Sequence, residues 1–345
     1  VEELDSSQQS NTVTLEAAIL DETGTLTQSA YADTPENALV VDGSTDVVFT
    51  TVRLDAVDEG FTVDKYGVIA SAGSSLVQAG IMCADADGVV NTYNQVFVGN
   101  NAEFTGLDCY VEKDETAYMY LTADINTVDS GAVANDAALD LIGDSGDTLT
   151  VRATGSDSGE NISTIAGGDV DPEGGAGADG VMNVYESYPT LAMGDAVSTS
   201  ASLSTTQEVA KFTASATSGE DVTFENGDAN VLTITLNFAE TAGDNAIACG
   251  LYADNDAVDT TQAAVATGAQ IAFDFTTDDL TIPASSSVDF TVKCDTSEMS
   301  TAGNFLQVSL GSSDTLSFGI DGTGNFDETA IILQDDIIFD SIVKD

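Results

Sequence analysis

FTGLDCYVEKDETAYMYLTADI (104–125) lies over FTTDDLTIPASSSVDFTVKCDT (275–296) without a gap, so the chain carries one template twice. Upstream, AGIMCADADG (79–88) answers ACGLYADNDA (248–257), and downstream DSGDTLTVRATGSDSG (144–159) answers SSDTLSFGIDGTGN (312–325). Three segments that agree in order and spacing confine each copy to about 110 to 140 residues, the size of one sandwich domain. Whatever this chain folds into, it must be a unit that can be built twice.

Strand signals decide what that unit is. Runs rich in Val, Thr, Ile, Phe and Tyr include VVFTTVRL (47–54), AYMYLTADI (117–125), VLTITLNF (231–238) and VDFTVKCD (288–295). Gly, Asp, Asn and Ser clusters separate them at intervals of roughly ten residues, the cadence of a β-sandwich. ANDAALDLI (134–142) is the one stretch that reads as a short helix. The expected fold is all-β: tandem Ig-like β-sandwich domains with extra strand segments at both termini. The first domain is expected over 46–160 and the second over 203–328. A Gly/Asp-rich linker fills 161–202, within which VMNVYESY (181–188) reads as a strand added to the second domain. Residues 1–45 and 329–345 are the terminal strand segments.

Charge narrows the function. The chain holds 59 Asp and Glu against 7 Lys and Arg, a formal net of -52, yet 42% of it is hydrophobic, so it is no disordered acidic tail. Nucleic acid is excluded as a partner, because binding it needs a basic stripe. An anionic membrane surface is excluded on the same ground. Two compatible readings of the charge remain: a salt-rich habitat, or divalent cations such as Ca²⁺ held by carboxylates as hard oxygen ligands.

No stretch approaches the about 18 apolar residues of a membrane-spanning helix. The start at Val1 rather than Met reads as a processed, exported chain, and four cysteines fit two disulfides in an oxidising compartment. Each copy holds two, which favours Cys83–Cys109 and Cys249–Cys294 over cross-domain pairs. A thiol metal site is disfavoured, since there is no C-x-x-C spacing and no His.

Asp85-Ala86-Asp87 and Asp254-Asn255-Asp256 fall just after an apolar strand in both copies. Alternate residues of an extended chain share a face, so Asp85 with Asp87, and Asp254 with Asp256, could grip one Ca²⁺. The plainer reading is a pair of hairpin turns, which Asp and Asn favour for backbone reasons. GDVDPEGGAGADG (168–180), with Asp169, Asp171 and Asp179, and DGTGNFDE (321–328), with Asp321, Asn325 and Asp327, have the composition of calcium loops without the spacing. A flexible linker and a turn are the alternatives.

The chain is not expected to be an enzyme. With no His there is no Ser-His-Asp or Cys-His arrangement, and carboxylates are too many to single out a glycosidase pair. Glycan adhesion would need aromatic platforms, and Trp is absent. Tyr93, Tyr110, Tyr185 and Tyr188 could serve, although Tyr in strands more often packs. Asn161-Ile162-Ser163 is a glycosylation sequon.

The termini complete the picture. Val13, Leu15, Ala17 and Ile19 alternate in NTVTLEAAIL (11–20), a half-buried strand by pattern. TAIILQDDIIFDSIVKD (329–345) carries Ile331, Leu333, Ile337, Phe339 and Ile342 beyond the last segment that the first copy matches. Either segment is an ordinary strand of its own domain, or it completes the sheet of a neighbouring copy. The second reading is preferred, because a head-to-tail contact that does not close generates a filament or lattice.

The order VYESYPTL (184–191), VAKFTASATSGEDVTF (209–224), LTIPASSSVDFTVKCDTS (280–297) and DTLSFGIDGTG (314–324) resembles repeated β-sandwich surface proteins of Patescibacteria, the candidate phyla radiation. The likeness is one of strand cadence and covers mainly the second half. It implies an exported, structural role at the cell surface, in an S-layer or appendage. The expected function is thus an extracellular subunit that polymerises with copies of itself, its charge neutralised by cations. The alternative is a surface adhesin that binds glycan or protein without polymerising.

Overall fold

Residues 116–125, TAYMYLTADI, send Met119, Leu121, Ala123 and Ile125 to one side, where all four are buried, and turn Tyr118 and Tyr120 to the other. That alternation is the signature of a strand with one face on a core, and it recurs along the chain. The computed structural model describes residues 23–171, 180–202, 204–217, 219–225, 231–239, 247–264, 267–275, 279–297, 299, 301–311, 313–320, 323–327, 332 and 336–345.

The first half forms β1 (Thr25–Ala30), β2 (Ala38–Val41), β3 (Val47–Val57), β4 (Phe61–Ala70), β5 (Leu76–Ala84), β6 (Val90–Gln95) and β7 (Asn101–Val111). It continues with β8 (Thr116–Ile125), β9 (Ala137–Leu139), β10 (Leu141–Gly143), β11 (Arg152–Gly155), β12 (Asn161–Ile162) and β13 (Met182–Tyr185). The second half forms β14 (Pro189–Met193), β15 (Gln207–Ala216), β16 (Val222–Phe224), β17 (Leu232–Ala239), β18 (Ile247–Ala253), β19 (Asp256–Ala264) and β20 (Ala269–Phe273). It ends with β21 (Leu280–Ile282), β22 (Ser287–Cys294), β23 (Phe305–Leu310), β24 (Ser317–Ile320), β25 (Thr323–Asp327), β26 (Ile337–Ile338) and β27 (Ile342–Val343). The fold is all-β and of the sandwich type.

The internal repeat reappears as hydrogen bonding. One five-stranded sheet runs β1-β3-β8-β5-β6 and another β14-β15-β22-β18-β19, so the two match strand for strand. They share an irregularity as well. β3 breaks register between Val48 (opposite Thr122) and Thr50 (opposite Leu121), while β15 breaks between Glu208 (opposite Lys293) and Ala210 (opposite Val292). A bulge kept at the same place twists both sheets alike. The facing sheets differ. In the first half β4 is one strand that pairs β7, β10 and β11, whereas in the second its place is taken by β16 and β17, in separate sheets.

Buried side chains form two clusters. One runs from Leu26 to Val184, and the other from Tyr185 to Ile342 with Leu39 added. β13 therefore spans the seam: Met182 and Val184 pack in the first cluster, and Tyr185 packs in the second against Phe318 and Phe326. Its hydroxyl donates to Asp136 Oδ1 at 2.8 Å. VMNVYESY thus does not add a strand to the second sheet. It pairs with β2 and β9 instead, and β14 leads into the second half. The short helix read at 134–142 is also replaced, because β9 pairs with β13 and β10 with β4, and those ladders override local propensity.

Glu59, 2% exposed, ties the β3–β4 turn to the loop after β11. Its carboxylate accepts from the amides of Gly24 (3.0 Å), Asp157 (3.2 Å) and Ser158 (2.9 Å) and from the Ser158 hydroxyl (2.9 Å). Burial pushes its pKa up, but the Ser158, Gly24 and Asp157 donors outweigh it and hold the carboxyl below its ordinary value. A depressed carboxyl contributes stability above its unfolded pKa of about 4.3 and loses it as pH falls through the folded value. Glu59→Gln is expected to cost about 2 kcal/mol at pH 7, since bonds to a charged acceptor become neutral ones. The gap to the wild type should close in denaturant melts near pH 3. A gap that widens in acid would contradict this role.

Candidate functional site

The predicted cysteines pair as expected. Cys83–Cys109 joins β5 to β7, bridging the two facing sheets, with Cα atoms 5.4 Å apart. Cys249–Cys294 links directly opposed residues of β18 and β22 within one sheet, with Cα atoms 4.0 Å apart. The residues that face each other at the same point of the first sheet are Ala79 and Ala123.

The aspartate pairs turn out to be hairpin turns, and unlike ones. Ile81 faces Leu121, whereas Leu251 faces Val292, so the copies are offset by one residue from the ungapped alignment of ADADG and ADNDA. The Asp85 carboxylate accepts from the amides of Asp87 (3.0 Å) and Val89 (2.9 Å) and from Asn91 Nδ2 (3.1 Å). The Val89 bond leads in holding it below the ordinary carboxylate range. Asp254 and Asn255 both have positive φ, 48° and 77°, and close a two-residue loop between Ala253 and Asp256. That is the type I′ geometry Asx residues tolerate.

Asp169 Oδ1 accepts from the Ser145 amide at 2.8 Å, and Asp171 also lies among the described residues, as a half-buried residue. Asp179, Asp321, Ile331, Leu333, Val13, Leu15, Ala17 and Ile19 lie outside them, while Asn325 and Asp327 fall in β25. Among the described residues, no three acids, cysteines or histidines stand together as a metal-ligand group.

Nor do the four tyrosines form platforms. Tyr185 is fully buried, Tyr188 packs against the second cluster, Tyr110 is half-buried, and the Tyr93 hydroxyl accepts from the Asp108 amide at 3.1 Å. The aromatic residues that do face outward on the first sheet are Tyr31 and Tyr118, with ring centroids 4.4 Å apart, and Tyr120. A hydrogen bond to Asp33, backed by one to Tyr118, pushes the Tyr31 phenol up to about 12. Asn161 is exposed on β12, and its Oδ1 accepts from the Thr154 hydroxyl at 2.8 Å.

The C-terminal segment pairs within its own chain, the plainer of its two readings. Ile337 and Ile338 pair with Leu310 and Ser309, and Ile342 and Val343 pair with Leu306 and Phe305. Phe339 (4% exposed) and Ile342 (0%) are inside the second cluster. The tail is the last strand of its own sheet. Phe339 and Ile342 have a core to fill at home, while Ile338 and Val343 stay exposed, which a reading from the repeat alone could not show.

What stands open is a different strand. The matched five-stranded sheets have four margins. At the β1 margin, the Gln28 amide donates to Ala166 O (2.7 Å) and the Ala166 amide to Leu26 O (3.2 Å), so the edge is covered. β19 breaks register twice and carries Asp256 and Asp259. Bulges and charges are the usual guards of a sheet edge.

β6 has neither guard. Its six residues, VNTYNQ, pair with β5 in unbroken register, and among the described residues with nothing on the other side. No charged residue occurs from Gly88 to Ala102, in a chain that is 19% charged. Val89, Val90, Val96 and Val98 are exposed there, Val98 to 78%. A cavity of about 370 Å³ lies at its end, lined by Gln95, Val96, Val98, Asn101, Glu103 and Leu149. The remaining margin, β14, reads PTLAM, pairs only with β15 among the described residues, and exposes Met193. No charge occurs from Ser187 to Gly194. The absence of charge in these two stretches was visible in the sequence, but only the sheet order turns it into an edge.

A further cavity, of about 520 Å³, lies on the outer face of the second five-stranded sheet. Lys211, Thr213, Asp254, Asp289 and Thr291 line it, and the Thr213 hydroxyl donates to Asp289 Oδ1 at 2.7 Å. It is a polar groove of hydroxyls and carboxylates.

No protein-family model and no curated protein matches the chain. Among solved structures, the YadV chaperone is 7% identical over 91% of this chain and 99% of its own, with a TM-score of 0.19. A red sea bream transglutaminase is 12% identical over 86% of this chain and 29% of its own, with a TM-score of 0.20. Allantoicase from Saccharomyces cerevisiae is 10% identical over 73% and 78%, with a TM-score of 0.17. Scores this low carry no argument about fold or function. The two disulfides, and the lack of a helix long and apolar enough to cross a membrane among the described residues, are compatible with a secreted or extracellular protein.

Proposed function

We propose that the protein is an extracellular structural subunit that assembles with copies of itself through strand contacts. The observation that supports this most is the unguarded margin at β6. Edge strands of soluble proteins are normally blunted by charge, bulges or cover. Here one margin is covered and another is charged, while β6 is left regular and uncharged, with exposed valines in and beside it. In a chain of net charge -52, repulsion opposes any close approach of two copies, so contact is cheapest where charge is absent. Salt or Ca²⁺ would neutralise the remaining surface, and chelation at constant ionic strength separates the two.

Electron microscopy of the purified protein at high salt should show filaments or sheets, with light scattering that rises with concentration. A chain that stays a monodisperse monomer across protein and cation concentrations would end this reading. The second reading, adhesion, rests on the outward Tyr31, Tyr118 and Tyr120 and on the groove lined by Asp289 and Thr213. Glycan-array binding by a strictly monomeric chain would favour it.

A further inference from the structure

We infer that β6 of one copy pairs with β14 of the next, so that assembly runs head to tail. This rests on the self-assembly reading and names the partner of its open edge. Both strands are margins of the matched five-stranded sheets, and each pairs on one side only among the described residues. They are of similar length, six and five residues, and both lie within charge-free stretches, 88–102 and 187–194. Main-chain groups along an edge are sequence-blind, so charge and exposed side chains choose the partner.

The positions of the two margins set the symmetry. β14 corresponds to β1, the first strand of its sheet, and β6 to β19, the last strand. Joining β6 to β14 therefore unites opposite margins: β1-β3-β8-β5-β6 is continued by β14-β15-β22-β18-β19 of the next copy. Each copy retains a free β14 after offering β6, so the contact is heterologous and leaves an end to grow from. A symmetric β6–β6 contact would instead close into a dimer.

Direction follows too. Neighbours within each sheet are antiparallel, so β6 runs the same way as β1, four steps away, and β14 runs as β1 does. With both cores on one face of the joined sheet, β6 and β14 pair in parallel. Met193, 58% exposed at the end of β14, then lies toward Val96 and Val98 beyond the end of β6. The exposed apolar side chains of the two margins cover each other.

The test uses two variants of the full chain. Thr92→Glu with Asn94→Glu places carboxylates on the exposed face of β6, and Thr190→Glu with Ala192→Glu does so on β14. All four side chains are exposed, and equal melting temperatures with two intact disulfides establish that the variants fold. If either double variant melts early, the single changes Thr92→Glu and Ala192→Glu replace it. Each variant alone is expected to be monomeric by light scattering, and an equimolar mixture to give dimers and nothing longer. A β14 variant that still dimerises, or either variant that still polymerises, overturns the β6–β14 pairing while leaving self-assembly standing. A wild type that never assembles overturns the underlying reading instead.

Discussion

Replacing Cys249 and Cys294 together by alanine is expected to cost the second core about 4 kcal/mol. The bridge closes a loop between residues 45 apart in sequence. In the chain-entropy account, removing it frees an unfolded ensemble worth about 4 kcal/mol, whereas the 26-residue separation of Cys83–Cys109 corresponds to about 3.5 kcal/mol. Alanine is the fair replacement, because the matched positions of the first sheet are Ala79 and Ala123, opposed in the same register. The chain thus contains its own control: one sheet holds this strand pair by hydrogen bonds and packing alone. Denaturant unfolding under non-reducing conditions should show the transition of the second core at lower denaturant, with Cys83–Cys109 unaffected. An unchanged midpoint would mean that the unfolded chain is already ordered around residues 249–294 and that the bridge confines nothing.

Much of the architecture was legible because the repeat is written in buried positions. The offset that lays Leu121 over Val292 and Thr122 over Lys293 is the register of both β3–β8 and β15–β22, bulge included. Cysteine pairing followed from two residues per copy. Turn segments were less faithful. ADADG and ADNDA look alike, yet one is a turn spanning Asp85–Val89 and the other a two-residue loop, since composition favours turning without fixing its length. The candidate site was hidden for a different reason. Whether VNTYNQ is an edge or a central strand depends on what lies beside it, and period-two alternation is the same in either case. An uncharged run gains meaning only once the sheet order places it at a margin and shows Ala166 covering the opposite one.

Truncation before Ile337 separates the two roles once open to the C-terminal segment. If residues 337–345 are the last strands of their own sheet, removing them strips β23 of its partners on the side away from β17. It also exposes the sites filled by Phe339 and Ile342, which at 1.5–3 kcal/mol for each large apolar side chain amounts to about 4 kcal/mol in burial alone. Bonds would be lost besides: Phe339 N to Val308 O at 3.1 Å, Gln307 Nε2 to Phe339 O at 3.1 Å, and Ala201 N to Val343 O at 2.8 Å. The second core should therefore melt early or not fold, and Phe339→Ala alone should cost about 3 kcal/mol through the cavity it leaves. A tail that served a neighbour would behave otherwise, since its removal would abolish assembly and leave the monomer's melting unchanged. Calorimetry of the dilute, monomeric chain distinguishes these outcomes, because only intramolecular contacts survive dilution. A truncated monomer as stable as the full chain would return the tail to the interface and put the β6 margin in question as the principal contact.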